Sequence, residues 1–186
     1  YCDFAVPGAW HYVADGLVHH NTGKTFCNIA HGLILSAAYP GNIGIIGHYT
    51  ETDLFDTAVP VFFEVCPPSW IRRYHKAKPQ HVLLRNGSQI LFRHIHDAPV
   101  KKMKSRRVGA NLGWFFVTQA EFLEISHFNT LMGRLRRPQA KKRFALLDAN
   151  PNGPDWIYQM FFQGLLHWPF LEGENYQICR QGQRLG

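Results

Sequence analysis

Apolar positions in this chain fall either into short unbroken runs or into longer stretches of mixed spacing, and the two textures predict different elements. Asn42-Ile43-Gly44-Ile45-Ile46-Gly47, Gly113-Trp114-Phe115-Phe116-Val117 and Phe144-Ala145-Leu146-Leu147 are runs of the first kind. Such runs suit strands covered on both faces. Thr25 to Ala38 predicts a helix, Ser126 is placed to cap another through Arg136, and a further helix is expected from Asp155 to about Phe162. His81 to Ile95 reads as two strands around an Asn86-Gly87 turn. Buried strands separated by helices predict an α/β fold: an open, mostly parallel sheet with flanking helices and one β-hairpin. Its functional site is expected along the loops at the strand ends, such as Asp148 to Pro154.

Residues 1–21 have a different texture. Short alternating segments, Cys2 to Val6, His11 to Ala14 and Leu17-Val18, are punctuated by Pro7-Gly8 and Asp15-Gly16 turns. They predict a β-ribbon too small to be stable alone. With no internal repeat in view, the chain divides into this ribbon and one domain over 22–186.

Composition narrows the class. With 186 residues, 46% of them hydrophobic, the chain can bury a substantial core. No apolar run is long enough to cross a bilayer. The start, Tyr1-Cys2-Asp3, has neither an initiator Met nor the pattern of a signal peptide, so the chain reads as intracellular and N-terminally incomplete. Its four cysteines, Cys2, Cys27, Cys66 and Cys179, form no CxxC pair, which argues for reduced, mostly buried thiols. The net charge of +7 is concentrated at Lys101 to Arg107 and Arg134 to Arg143. Those clusters fit a polyanionic partner or an ordinary solvated face.

Candidate chemistry begins at Thr22-Gly23-Lys24-Thr25, which opens the first helix. This is the second half of the phosphate-binding pattern GxxxxGK[ST], in which amides at a helix N-terminus hold phosphates, Lys reaches the terminal phosphates and the hydroxyl meets Mg²⁺. The pattern needs a glycine at position 18, where this chain has Val18.

The interrupting segment, Asp3 to Thr22, resembles the two C-terminal blocks of inteins: an Asp-aromatic pair, a turn, His11-Tyr12, Ala14-Asp15-Gly16, two apolar residues, and His20-Asn21 before Thr22. The resemblance implies that Asn21 cyclises onto its own carbonyl, that His20 assists as general acid, and that the Thr22 hydroxyl receives the upstream segment. It makes His11 a second assisting histidine, and leaves Asp3 between a minor role and plain packing. The N-terminal intein nucleophile is not in this chain, so splicing needs a missing N-terminal piece. Excision would join a Gly-rich segment to Thr22 and complete the loop.

From Thr22 to about Gln163 the sequence resembles the ATPase domain of phage large terminases. The carrying segments are Asn86 to Phe92, Lys102 to Ser105, Leu112 to Val117, Phe128 to Arg136 and Leu147 to Pro154, in that order. The resemblance implies ATP and Mg²⁺ as cofactors, with Gly23, Lys24 and Thr25 at the phosphates, Mg²⁺ against Thr25, and Asn150 sensing the γ-phosphate. Arg134 and Arg136 become candidates for contact with DNA or a neighbouring subunit's phosphate. The implied partners are double-stranded DNA, the portal protein, the small terminase subunit and further copies in a ring, in the host cell cytoplasm. The nuclease domain of the family would lie beyond Gly186.

The resemblance breaks at the acidic motif. The family places an Asp and a Glu where this chain has Thr118 and Gln119, and the nearest acid, Glu121, stands two residues later. ATP hydrolysis is therefore left open, and carboxylates installed at 118 and 119 are expected to raise it. Two other functions also stay open: the C-terminal partner of a split intein, or a non-hydrolysing DNA-binding remnant.

Overall fold

The computed structural model describes residues 11–14, 17–20, 23–95, 111–150, 153–163, 179–180 and 183–184, with side chains described over 23–95, 111–150 and 153–161. β1 (His11–Ala14) and β2 (Leu17–His20) form an antiparallel ribbon in which His11 is paired with His20. α1 follows (Lys24–Ala38), then β3 (Ile43–His48). A continuous helical stretch comes next, made of α2 (Glu51–Asp53), a π turn (Leu54–Ala58) and α3 (Val59–Val65). The chain continues through β4 (Ile71–His75), β5 (His81–Leu84), β6 (Gln89–His94), β7 (Trp114–Val117), α4 (Ile125–Met132) and β8 (Phe144–Leu147). Two 3₁₀ turns (Pro68–Trp70 and Ala120–Phe122), a π-helical turn (Tyr158–Gln163) and a short pair, β9 (Cys179–Arg180) with β10 (Gln183–Arg184), complete the described elements.

One six-stranded sheet organises the domain, in the order β4-β5-β6-β3-β7-β8. β6, β3, β7 and β8 run parallel, and β4 and β5 form an antiparallel edge. This is the mostly parallel α/β sheet expected, including the hairpin at Asn86-Gly87, where Gly87 takes a positive φ of 84°. The apolar runs explain the layering. Ile46, Trp114 and Phe116 face a core closed by α1 and α3, whereas Ile45, Phe115 and Val117 face one closed by α4 and Met160.

Trp114 fixes α1 against the sheet. Its indole is fully buried and donates to Ser36 Oγ at 2.9 Å. It fits only because Gly32 of α1 and Gly44 of β3 carry no Cβ, which would otherwise strike the ring. The N-terminus of α1 is thereby held at the carboxyl ends of β7 and β8. Three expectations need correction. Ser126 lies inside α4, its hydroxyl donating to Glu124, and the N-cap residue Glu124 makes no side-chain cap bond. That helix ends at Met132, because Gly133 to Arg136 turn back to pair with the residues preceding β7. Cys27 is exposed, while Cys66 is buried and its thiol is pushed up to about 11 by desolvation. Lys101 to Arg107, Asp3, Asn21 and Thr22 lie outside the described residues.

Candidate nucleotide site at the strand ends

The carboxyl end of β8 meets the first turn of α1, and the segment that follows β7 lies beside it. That turn has no acidic residue and no side-chain cap, and its N-cap, Gly23, is left-handed at φ 64°. Amide groups at such a terminus lack intrahelical acceptors, so it suits an anion. Lys24 Nζ donates to Asn150 Oδ1 at 3.2 Å, and Asn150 Nδ2 donates to Glu121 Oε1 at 3.3 Å. Alongside this string, Thr25 Oγ1 donates to Asp148 Oδ2 at 2.9 Å. Of the residues predicted from sequence, Lys24, Thr25, Asn150 and Glu121 are thus brought into one connected group.

The approach of Glu121 depends on an unusual backbone. Gln119 sits in the left-handed region at φ 52°, a conformation that costs a non-glycine residue on the order of 1–3 kcal/mol. Two contacts hold it there. Its N–H donates to Asp148 Oδ1 at 2.7 Å, and its side-chain oxygen lies 3.0 Å from His48 Nε2. Since Thr50 N–H donates to His48 Nδ1, Nε2 is the protonated nitrogen of that ring and donates to Gln119. The Gln119 side chain therefore points toward the end of β3. A 3₁₀ turn, Ala120–Phe122, then brings Glu121 round to Asn150. Counting along an extended strand puts Glu121 too far on; the left-handed residue and the tight turn change that reckoning.

Two acidic side chains stand out by burial. Glu121 Oε2 is buried without a hydrogen-bond partner, and Asp148 is only 7% exposed although its carboxylate accepts from two neutral donors. Sequence reasoning did not single out Asp148. Its only signal was its place in the strand-end segment Leu147 to Pro154. No group of three or more metal-ligating side chains occurs among the described residues. Mg²⁺ bound with a nucleotide needs few protein oxygens, and the Thr25 hydroxyl beside a carboxylate is a fitting hard-oxygen set.

The basic run lies at the other end of the sheet. Arg137 donates twice to the Gly41 carbonyl, Arg143 donates to the Arg137 carbonyl, and Arg136 donates to Asn111 Oδ1. The Arg134 carbonyl accepts from Leu112 N–H. These contacts tie the run to the amino ends of β3 and β7, so Arg134 and Arg136 do not join the Lys24 group. Of the splicing candidates, His11 and His20 are paired in backbone register across the ribbon, and Asn21 and Thr22 lie outside the described residues.

The sequence model of the phage terminase large subunit family matches residues 70–178, more than half of the chain. The chain belongs to this family. The terminase sheet is also similar to the large terminase of a thermophilic bacteriophage, with TM-score 0.57 and 15% identity over 77% of this chain and 35% of that one. The ATPase domain of a Thermus phage large terminase aligns at TM-score 0.47 and 19% identity, over 88% of this chain and 67% of that one. The terminase chain thus spans about a third of the first relative's length. No curated protein sequence matches it. No described helix is long and apolar enough to cross a membrane.

Proposed function

We propose that this chain is part of the ATP-driven motor that moves viral double-stranded DNA, with its phosphate-binding loop interrupted by the C-terminal end of an intein. The observation that carries the reading is the Lys24–Asn150–Glu121 string at the carboxyl ends of parallel strands, facing the uncapped start of α1. Gly23, Lys24 and Thr25 hold the ATP phosphates, with Lys24 neutralising charge that grows on the terminal phosphoryl oxygens. Asn150 touches both Lys24 and Glu121, so loss of the γ-phosphate alters both contacts at once. Glu121, whose Oε1 accepts from Asn150 Nδ2, positions the attacking water. Bound Mg²⁺ supplies charge stabilisation at the phosphates. By the family's role, the partners are DNA, the portal protein, the small terminase subunit and neighbouring copies in a ring.

The splicing step is local to residues 11–22. The Asn21 side-chain nitrogen attacks the Asn21 main-chain carbonyl carbon, a succinimide closes, and the bond to Thr22 breaks as His20 gives a proton to the leaving nitrogen. The Thr22 hydroxyl is the nucleophile for the upstream segment. Pairing of His11 with His20 across the ribbon supports a joint role for the two histidines. Excision then joins a Gly-rich segment to Thr22; among the described strands none pairs with the outer side of β8.

The test joins a Gly-rich segment directly before Thr22 and measures phosphate release from ATP. The repaired chain should hydrolyse ATP, the Lys24→Ala repaired chain and the unrepaired chain should not. Equal rates in all three would defeat the reading.

A further inference from the structure

Resting on the nucleotide-site reading above, we infer that the carboxylate that orders the divalent cation is Asp148, at the end of β8, rather than a residue of β7. The carboxylate has, in effect, changed strands. At the end of β7 the side chains available are Thr118, which is buried and neutral, and Gln119, which is bonded to His48. One strand over, Asp148 sits against the very hydroxyl, Thr25 Oγ1, that lies beside Mg²⁺ in a phosphate-binding loop.

Asp148 is a buried acidic side chain whose hydrogen bonds come from neutral donors. It is 7% exposed, and among the described residues no cation is paired with it. Its two oxygens accept one neutral donor each, from Thr25 and from Gln119 N–H. A carboxylate oxygen has two acceptor sites, so each oxygen keeps one to offer. Burying a carboxylate with only neutral partners is costly, and a cation placed beside Thr25 and Asp148 offsets that cost. The two bonds also aim the carboxylate. The Gln119 amide holds Oδ1, so Oδ2 faces α1. On this account the left-handed backbone at Gln119 has a purpose, because it turns that N–H onto Asp148.

A purely structural Asp148, tying the β7 and β8 ends together, is the competing explanation. Asn in its place preserves the shape and the acceptor oxygen but removes the charge. The experiment titrates Mn²⁺ alone into the intact chain, reading the loss of the free-ion paramagnetic resonance signal, with near-ultraviolet circular dichroism confirming that each variant is folded. The parent should take up one Mn²⁺ in the millimolar range. Asp148→Asn should weaken uptake by about tenfold or more, and Thr25→Val by a smaller factor. Asp148→Glu, which restores the charge, should recover part of it. Parent-like uptake by Asp148→Asn, or no uptake by the parent, overturns the inference. Adding ADP separates the two proposals. If, in the repaired chain, ADP leaves the bound Mn²⁺ spectrum unchanged with and without Lys24→Ala, the nucleotide reading fails while the assignment of Asp148 to the cation stands.

Discussion

β7 and β8 are neighbouring parallel strands of equal length, yet they end in opposite ways. β7 is wholly buried and runs into the neutral pair Thr118-Gln119 through a strained turn. β8 is half-buried at every position and delivers Asp148 and Asn150 to the start of α1. The first is a core strand that positions its neighbours; the second is an edge strand that carries polar chemistry. The difference teaches that where one strand end carries no acid, the adjacent strand can bring one to the same helix terminus.

The largest expected effect separates Glu121 from the residues before it. In the repaired chain, Glu121→Gln should lower kcat by about a hundredfold while ADP affinity stays within about twofold, because the group acts on the attacking water. Steady-state kinetics with a fluorescent ADP titration measure both, and an unchanged kcat would remove Glu121 from the site. The next effect contrasts the strands as packing elements. Phe116→Ala on β7 should cost about 3–5 kcal/mol of unfolding free energy in urea. Leu146→Ala on β8 should cost clearly less, since that side chain is only partly buried. Equal losses would mean that β8 is as much core as β7.

Much of the architecture was legible in the sequence because full burial on two faces demands unbroken apolar runs, and Ile43 to Gly47 and Trp114 to Val117 are such runs. The helical stretch Glu51 to Val65 was not, since Pro60 and a π turn break its period. Neither was β4, whose Ile71-Arg72-Arg73-Tyr74-His75 has too many charges to read as a strand. At the site, Lys24 and Thr25 announce themselves by motif. The Thr25–Asp148 bond joins residues 123 apart, and the approach of Glu121 hangs on one left-handed residue and a 3₁₀ turn. Local pattern encodes neither.

Smaller effects distinguish the strand ends from surfaces elsewhere. Alkylation should label exposed Cys27 quickly and leave Cys66 unmodified until unfolding, because burial both shields that thiol and keeps it protonated. Peptide mapping after brief treatment checks this, and early labelling of Cys66 would contradict its placement in the core. At the β4–β5 hairpin, His75 stacks on His81 with centroids 4.2 Å apart. Its pKa is held below the usual histidine range, first by desolvation and then by the charges of His81 and Arg73. The folded chain thus favours neutral His75. Its contribution to stability is complete above the ordinary histidine pKa and fades as pH falls through the lowered one. Imidazole titration by NMR should show His75 protonating below model-peptide histidine, and a value above it would reverse the sign.

The central claim is that Asp148 and Glu121 already supply the chemistry for which positions 118 and 119 have no acid. Sequence alone led us to expect a gain in turnover from carboxylates at those positions; the strand-end geometry predicts almost none. The deciding measurement is ATP turnover by the repaired chain with and without Thr118→Asp together with Gln119→Glu. Rates within about threefold of each other are predicted, because the cation and water positions are served from β8 and the 3₁₀ turn. A rise of about a hundredfold or more would contradict the account and return the catalytic acids to the end of β7.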